Sequence, residues 1–328
     1  MWDVLAIGDT TIDAFIRLKD ARVHCDIDDR NCELCVKFGQ KIPYESVEIV
    51  AAVGNSANAA VSCARLGLKA ALRVHVGNDE NGKLCIEKFR KEGVDTSLIV
   101  VEDDQKTNYH YVLCYEAERT ILIKHEPYAY SFPKLDEPPQ WVYLSSLGEG
   151  TLPYHQEISA YLAVNPSVKL AFQPGTFQIK LGAETLKDFY ARSDTFFCNK
   201  EEAQTILKTD TRDEKKLLEG LRALGVKIAV VTDGRNGLCA MDDSHAFHAP
   251  MYPDPAPPLQ RTGAGDATAS TTIAYLVLGA SLEDALLRGL INAAYVVQGI
   301  GAQKGLLTKE KIEEYYAKRP ADFVATPL

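Results

Sequence analysis

No apolar stretch in this chain is long enough to cross a bilayer: the longest, near Tyr275–Ala280, falls far short of the roughly 20 residues a membrane helix needs. The opening residues, Met1 to Gly8, hold neither a basic cluster nor the long apolar core of a secretory leader, so a cytoplasmic location is expected. Runs of Lys and Arg are also missing, and 36 basic against 45 acidic residues give a formal net charge of −9, which disfavours nucleic acid or an anionic membrane as partner. A small molecule is the expected partner instead. No internal repeat is found, and the only biased patch is Pro250–Pro258, a connector that cannot form a central strand. The pattern Gly-x4-Gly-Lys-Ser/Thr is absent, which excludes a P-loop phosphotransferase. What remains is an ordinary globular composition, 46% apolar and 25% charged over 328 residues, enough for one large domain or a large one with a satellite.

Short apolar runs that end at Gly, Asn or Asp recur at Val4–Ile7, Ala71–Val76, Trp141–Leu144, Lys169–Phe172, Thr195–Cys198 and Ile228–Val231. Helix-length segments alternate with them: Ser56–Leu66, Lys83–Glu92, Ala183–Ala191, Lys200–Leu207, Glu214–Leu224, Ala267–Leu278 and Leu282–Gln298. The alternation predicts an α/β fold whose mostly parallel central sheet carries helices on both faces. Ligands of such sheets bind beyond the carboxyl ends of the strands, which directs attention to Gly8-Asp9, Gly77-Asn78-Asp79, Asn199 and Thr232-Asp233-Gly234. Two stretches break the rhythm. Residues 14–48 lack a helical period, and 107–124 alternate as Tyr109, Tyr111, Leu113, Tyr115, then Thr120, Leu122, Lys124, with Glu116–Arg119 as a hairpin turn. Together they predict a small β-rich lid, leaving 1–13, 49–106 and 125–328 as the main domain.

The segment Thr262-Gly263-Ala264-Gly265-Asp266 runs directly into an apolar helix. Small residues at a helix start let backbone N–H groups converge on an anion, with help from the positive end of the helix dipole. An Asp beside such a cradle is placed to accept a proton from a hydroxyl, as phosphoryl transfer to an alcohol requires. Taken alone, the same residues also describe a Gly-rich turn with Asp266 as an N-terminal helix carboxylate.

Thr262–Asp266, Gly54-Asn55-Ser56-Ala57-Asn58 with the helix it opens, Val76–Gly82, Gly93–Ser97, Asn199–Glu202 and Val231–Gly237 fall in an order that resembles the ribokinase-like (PfkB) family of carbohydrate and nucleoside kinases. The resemblance spans nearly the whole chain and implies the ribokinase-like fold and ATP as phosphoryl donor with Mg²⁺. It implies that Asp266 is the catalytic base and that Gly263, Ala264 and Gly265 form the anion hole. At the acceptor end it implies that Asp13, Gly54, Asn55 and Asn58 bind the sugar or nucleoside; a carboxylate with two acceptor oxygens suits a vicinal diol. Asn199 and Glu202 are expected near the phosphates, with Glu202 holding Mg²⁺ through water. The same pair also describes an N-cap with its third-position acid. Thr232, Gly234 and Asn292 are expected to border the nucleotide, although Asn292 also fits a buried polar group satisfied locally.

Three features depart from the family pattern. Gln260-Arg261 stand where the signature opens with Asp-Thr, which bears on a monovalent-cation site, and Val53 replaces the first of two adjacent glycines, which implies a stiffer hinge. The lid carries His24-Cys25-x6-Cys32-x2-Cys35, which is either part of a zinc site or a redox or packing thiol pair. Cys63, Cys85, Cys114, Cys198 and Cys239 are expected as reduced core residues.

The expected activity is therefore transfer of the ATP γ-phosphoryl group to a hydroxyl of a nucleoside or of a free sugar such as a pentose. A nucleoside acceptor wants an aromatic slot, for which Tyr109, Tyr111 and Tyr115 are candidates. A phosphosugar acceptor is the alternative and needs a lid cation, for which Lys124, Arg119 and Arg17 are candidates. A non-catalytic sugar- or nucleotide-binding regulator is the reading from another class, and lids of relatives allow a homodimer.

Overall fold

The computed structural model describes residues 1–25, 32–116 and 118–328. A nine-stranded sheet forms the centre, in the order Thr326–Pro327, Ala246–Ala249, Leu238–Met241, Ala229–Thr232, Thr195–Asn199, Lys169–Phe172, Trp141–Leu144, Val4–Ile7, Ala70–Arg73. The last six run parallel, and the first three are added antiparallel at one edge. Strands such as Val4–Ile7 and Trp141–Leu144 are buried along their whole length, as strands covered by helices on both faces must be. Core residues fall into two clusters, one on each side of the sheet, built around Leu72, Phe89, Ile273 and Ile291 on one side and Phe172, Phe189, Phe196 and Leu221 on the other.

From Val4–Ile7 the chain adds its next parallel strand on one side, Ala70–Arg73, and later returns to the other side with Trp141–Leu144. This reversal opens a crevice at the carboxyl ends of Val4–Ile7 and Trp141–Leu144, the place where such sheets hold ligands. The helix Ala264–Val277 lies buried on almost every side, from Asp266 to Tyr275, and packs against Leu282–Val296. It is a core helix with no solvent stripe, which fixes the position of its N-terminus.

The lid is a four-stranded sheet in the order Glu118–Leu122, Tyr109–Tyr115, Thr11–Leu18, Tyr44–Val53. Its boundaries correct the expected ones. Thr11–Leu18 and Tyr44–Val53 run unbroken through the junction with the main domain, with Asp13 opposite Val50, so Asp13 and residues 49–53 belong to lid strands. At the junction Ala52 and Gly54 take positive φ values of 60° and 115°, and Val53 between them does not. A short hairpin, Arg22–His24 with Glu33–Cys35, carries the cysteine cluster. Cys25 is bonded to Cys32 there, and a sulfur held in a disulfide has no thiolate to give a metal, so these two cysteines do not form a zinc site. Cys35 is not in a disulfide, and Cys114 is half-buried in the lid, whereas Cys63, Cys85, Cys198 and Cys239 are buried core residues as expected. Among the described residues no helix is long and apolar enough to cross a membrane.

Candidate active site

A cleft of about 590 Å³ runs between lid and main domain. Of the residues singled out from the sequence, Asp13, Gly54, Asn55, Asn58, Asn199, Glu202, Thr232, Gly234, Gly263, Ala264, Gly265 and Asp266 all line it. Asn292 does not. Its amide donates to Thr271 Oγ1 at 2.8 Å and its carbonyl accepts from the Leu307 N–H at 2.9 Å, so it is a buried, locally satisfied core residue, and its neighbours Ala293 and Ala294 face the cleft instead.

Asp266 occupies the first turn of Ala264–Val277 and is 9% exposed. Three side-chain amides reach its carboxylate: Asn55 at 2.9 Å and Gln173 at 3.1 Å donate to Oδ1, and Asn58 at 2.7 Å donates to Oδ2. Burial raises its pKa above the usual carboxylate value, the amide donors and the Arg119 charge pull it back, and the net direction is upward. Next to it, Gly263 caps the helix with φ 84°, and a Cβ there would lie 2.5 Å from that of Ala302. Only glycine fits both the left-handed turn and this close approach. The N–H groups of the first turn have no carbonyl within the helix to bond and are available to a ligand.

Beside the lid, Gly54 turns the chain from the lid strand into the helix Asn55–Arg65 with φ 115°, and a Cβ there would meet the Asp9 carbonyl at 2.5 Å. That turn aims Asn55 and Asn58 at Asp266. Asp13 Oδ1 is buried without a hydrogen-bond partner. Asn199 and Glu202 form a reciprocal capping box, each side chain accepting at 2.8 Å from the other's backbone N–H, which satisfies the capping explanation of that pair. They line the cleft all the same. Burial raises the Glu202 pKa, and the charge of Asp266 adds to the rise. Arg261 pairs with Asp254 at 3.5 Å on the cleft wall.

Asp9, marked by its place after the first strand, lines the cleft, and the sequence reading missed Gln173, His110, His125 and Phe177, which line it too. Gln173 directly follows the strand Lys169–Phe172, so the rule that ligands gather at strand carboxyl ends would have found it. Tyr109, Tyr111 and Tyr115 do not line the cleft; Ile121, Ile123 and Phe177 give it its apolar surface. Of the three lid cations, only Arg119 reaches it, while Lys124 pairs with Glu126 at 2.7 Å.

The profile described as pfkB family carbohydrate kinase matches residues 46–309. The bifunctional ribokinase/ribose-5-phosphate isomerase A of Fructilactobacillus sanfranciscensis is 23% identical over 95% of this chain, which spans 56% of that longer protein's length. Mouse ribokinase is 25% identical, the match covering 79% of this chain and 82% of the relative. The structure of Arabidopsis thaliana ribokinase complexed with ribose and ATP superposes with a TM-score of 0.76 at 17% identity, covering 95% of this chain and 98% of the plant enzyme, a likeness of fold.

Proposed function

Because this chain belongs to the pfkB family of carbohydrate kinases and is a phosphotransferase with a hydroxyl acceptor, we propose that it transfers the ATP γ-phosphoryl group to a hydroxymethyl of a free sugar, such as a pentose, or of a nucleoside. The observation that carries this reading is the placement of Asp266: a buried carboxylate held by three amides, at the N-terminus of a core helix, in a cleft that Asp13, Thr232 and Gly234 also line. The acceptor binds at the Asp13 end and ATP along Asn199, Thr232 and Gly234. Asp266 takes the proton of the acceptor hydroxyl, the hydroxyl oxygen bonds to the γ-phosphorus, and the bond to the β-phosphate oxygen breaks to release ADP. The N–H groups at Gly263–Gly265 hold the charge that develops on the transferred group. The lid excludes water, so that the hydroxyl rather than water is phosphorylated.

Glu202 and Asn199 offer hard oxygen donors that suit Mg²⁺ held through water; the ion supplies charge neutralisation at the phosphates. The lid's outward face, with Tyr44, Val47, Ile49, Tyr111 and Leu122 exposed, supports pairing with a second copy of this chain. A coupled ADP assay with Mg²⁺ and ATP against free sugars, phosphosugars and nucleosides tests the function. One acceptor class that stimulates ADP formation supports it and names the substrate. Bound nucleotide or sugar with no stimulated turnover transfers the argument to a non-catalytic regulator.

A further inference from the structure

Two carboxylates at the acceptor end each hold an imidazole. Asp9, 6% exposed, is held by three protein donors: Tyr130 Oη at 2.5 Å on Oδ1, and the Gly148 N–H at 2.7 Å and His125 Nδ1 at 2.9 Å on Oδ2. One of the three, His125, carries its effect into the cleft. A carboxylate only accepts, so Nδ1 carries the shared proton and Nε2 is the ring atom left to face the cleft. His125 lines the cleft, its ring edge-on to Phe177 at 5.5 Å, and Nε2 has no protein partner among the described residues. The second pair is looser. His110 Nδ1 lies 3.5 Å from Asp13 Oδ1, and both that oxygen and His110 Nε2 are buried with no hydrogen bond. The two rings stand 5.4 Å apart.

Buried polar atoms without partners are rare, and two from one pair in a ligand cleft mark where a ligand supplies the missing groups. We propose that His125, positioned by Asp9, and His110, positioned by Asp13, are the specificity residues of the acceptor site, and that together they read the hydroxyls of a neutral acceptor. This rests on the kinase reading of the cleft and names its acceptor class. The atoms left there are a carboxylate oxygen, Asp13 Oδ1, which accepts, and two imidazole Nε2 atoms, which donate or accept by tautomer, and a hydroxyl does both. A phosphate or carboxylate would donate nothing and would face two carboxylates in a half-buried pocket.

Equilibrium binding by calorimetry tests this, with D-ribose, adenosine, their 2-deoxy counterparts and D-fructose 6-phosphate as probes, on wild type, His125→Phe, His110→Phe and His125→Gln. At least one hydroxyl-bearing neutral probe is expected to bind wild type, and each Phe variant to weaken it about 10-fold, with ATP affinity within about twofold. The preference for the hydroxylated probe over its 2-deoxy form should shrink in a Phe variant, a change that general loosening of the pocket would not produce. His125→Gln, whose amide reaches the place of Nε2, should recover part of the affinity. Unchanged affinity in both Phe variants, tighter binding of the phosphosugar than of every neutral probe, or no binding by any probe overturns the proposal. ADP formation is scored separately. If it is acceptor-stimulated while the binding contrast is absent, this inference fails and the kinase reading stands; the reverse pattern sinks the kinase reading alone.

Discussion

Asn58 donates its amide to Asp266 Oδ2 at 2.7 Å, joining residues 208 positions apart, and so couples the helix that begins beside the lid to the buried carboxylate in the cleft. Asn58 is itself held: Gln303, 2% exposed, donates to Asn58 Oδ1 at 3.0 Å and to the Ala52 carbonyl at 2.6 Å. The amide orientation that serves Asp266 is therefore set from behind, by a residue outside the cleft lining.

Gln303→Leu leaves Asn58 Oδ1 and the Ala52 carbonyl buried without a donor, a cost of about 1–3 kcal/mol. The expected outcome is a lower melting temperature and a roughly tenfold lower kcat with little change in the KM for ATP, because the loss falls on the base and not on the nucleotide end. Steady-state kinetics check it. An unchanged kcat would show that Asn58 holds its orientation unaided.

The raised pKa of Asp266 fixes a pH dependence. A carboxyl whose folded value lies above its unfolded one contributes stability that is complete below the unfolded pKa, roughly 3.9, and is lost as pH rises through the folded value. Asp266→Asn has no such titration, so its melting temperature relative to wild type should climb as pH rises from about 4 to 7. In wild type the same group must be ionised to accept a proton, so kcat should fall on the acid side at a pH above the ordinary carboxylate range. A melting difference that stays flat across this window contradicts the burial argument.

Gly263→Ala places a side chain at φ 84° and a Cβ 2.5 Å from that of Ala302. About 1–3 kcal/mol of strain is expected, together with a displaced first turn and lost turnover. Thermal melts and ADP assays check both, and a variant with wild-type melting and rate would show that the cradle tolerates a side chain.

Arg65 holds Glu92 with two hydrogen bonds of 2.7 Å and also donates to the carbonyls of Gln303 and Leu306, tying Asn55–Arg65 to the segment that packs on Gly263. Its hydrogen bonds hold the Glu92 carboxyl below the usual pKa, so this stability is present above the unfolded value and fades as pH falls through the folded one. Arg65→Met should cost about 1–3 kcal/mol at neutral pH and less near pH 4, read by urea unfolding.

Much of this was legible in the sequence for a physical reason. A strand buried on both faces is a continuous apolar run, and Val4–Ile7, Trp141–Leu144 and Lys169–Phe172 were located to the residue. The helix Leu152–Val164 escaped because the side chains it buries, Tyr154, His155, Ile158 and Leu162, include a histidine, and Leu152, Ala160, Tyr161, Ala163 and Val164 spread apolar residues over its other faces, so no polar face sets off the stripe. Asp266, Asn55 and Asn58 were found through their motifs and Gln173 was within reach of the strand-end rule, whereas His125 comes from a loop and meets the site only through the fold. Asn292 was misplaced because sequence order puts it on the correct helix but does not say which way the helix is turned.

The central claim is that Asp266 is the base. Turnover of the acceptor that stimulates wild type should fall by about 10²–10⁴ in Asp266→Asn, with ATP binding measured by calorimetry unchanged. Near-normal turnover in that variant, with ATP still bound, would contradict the account.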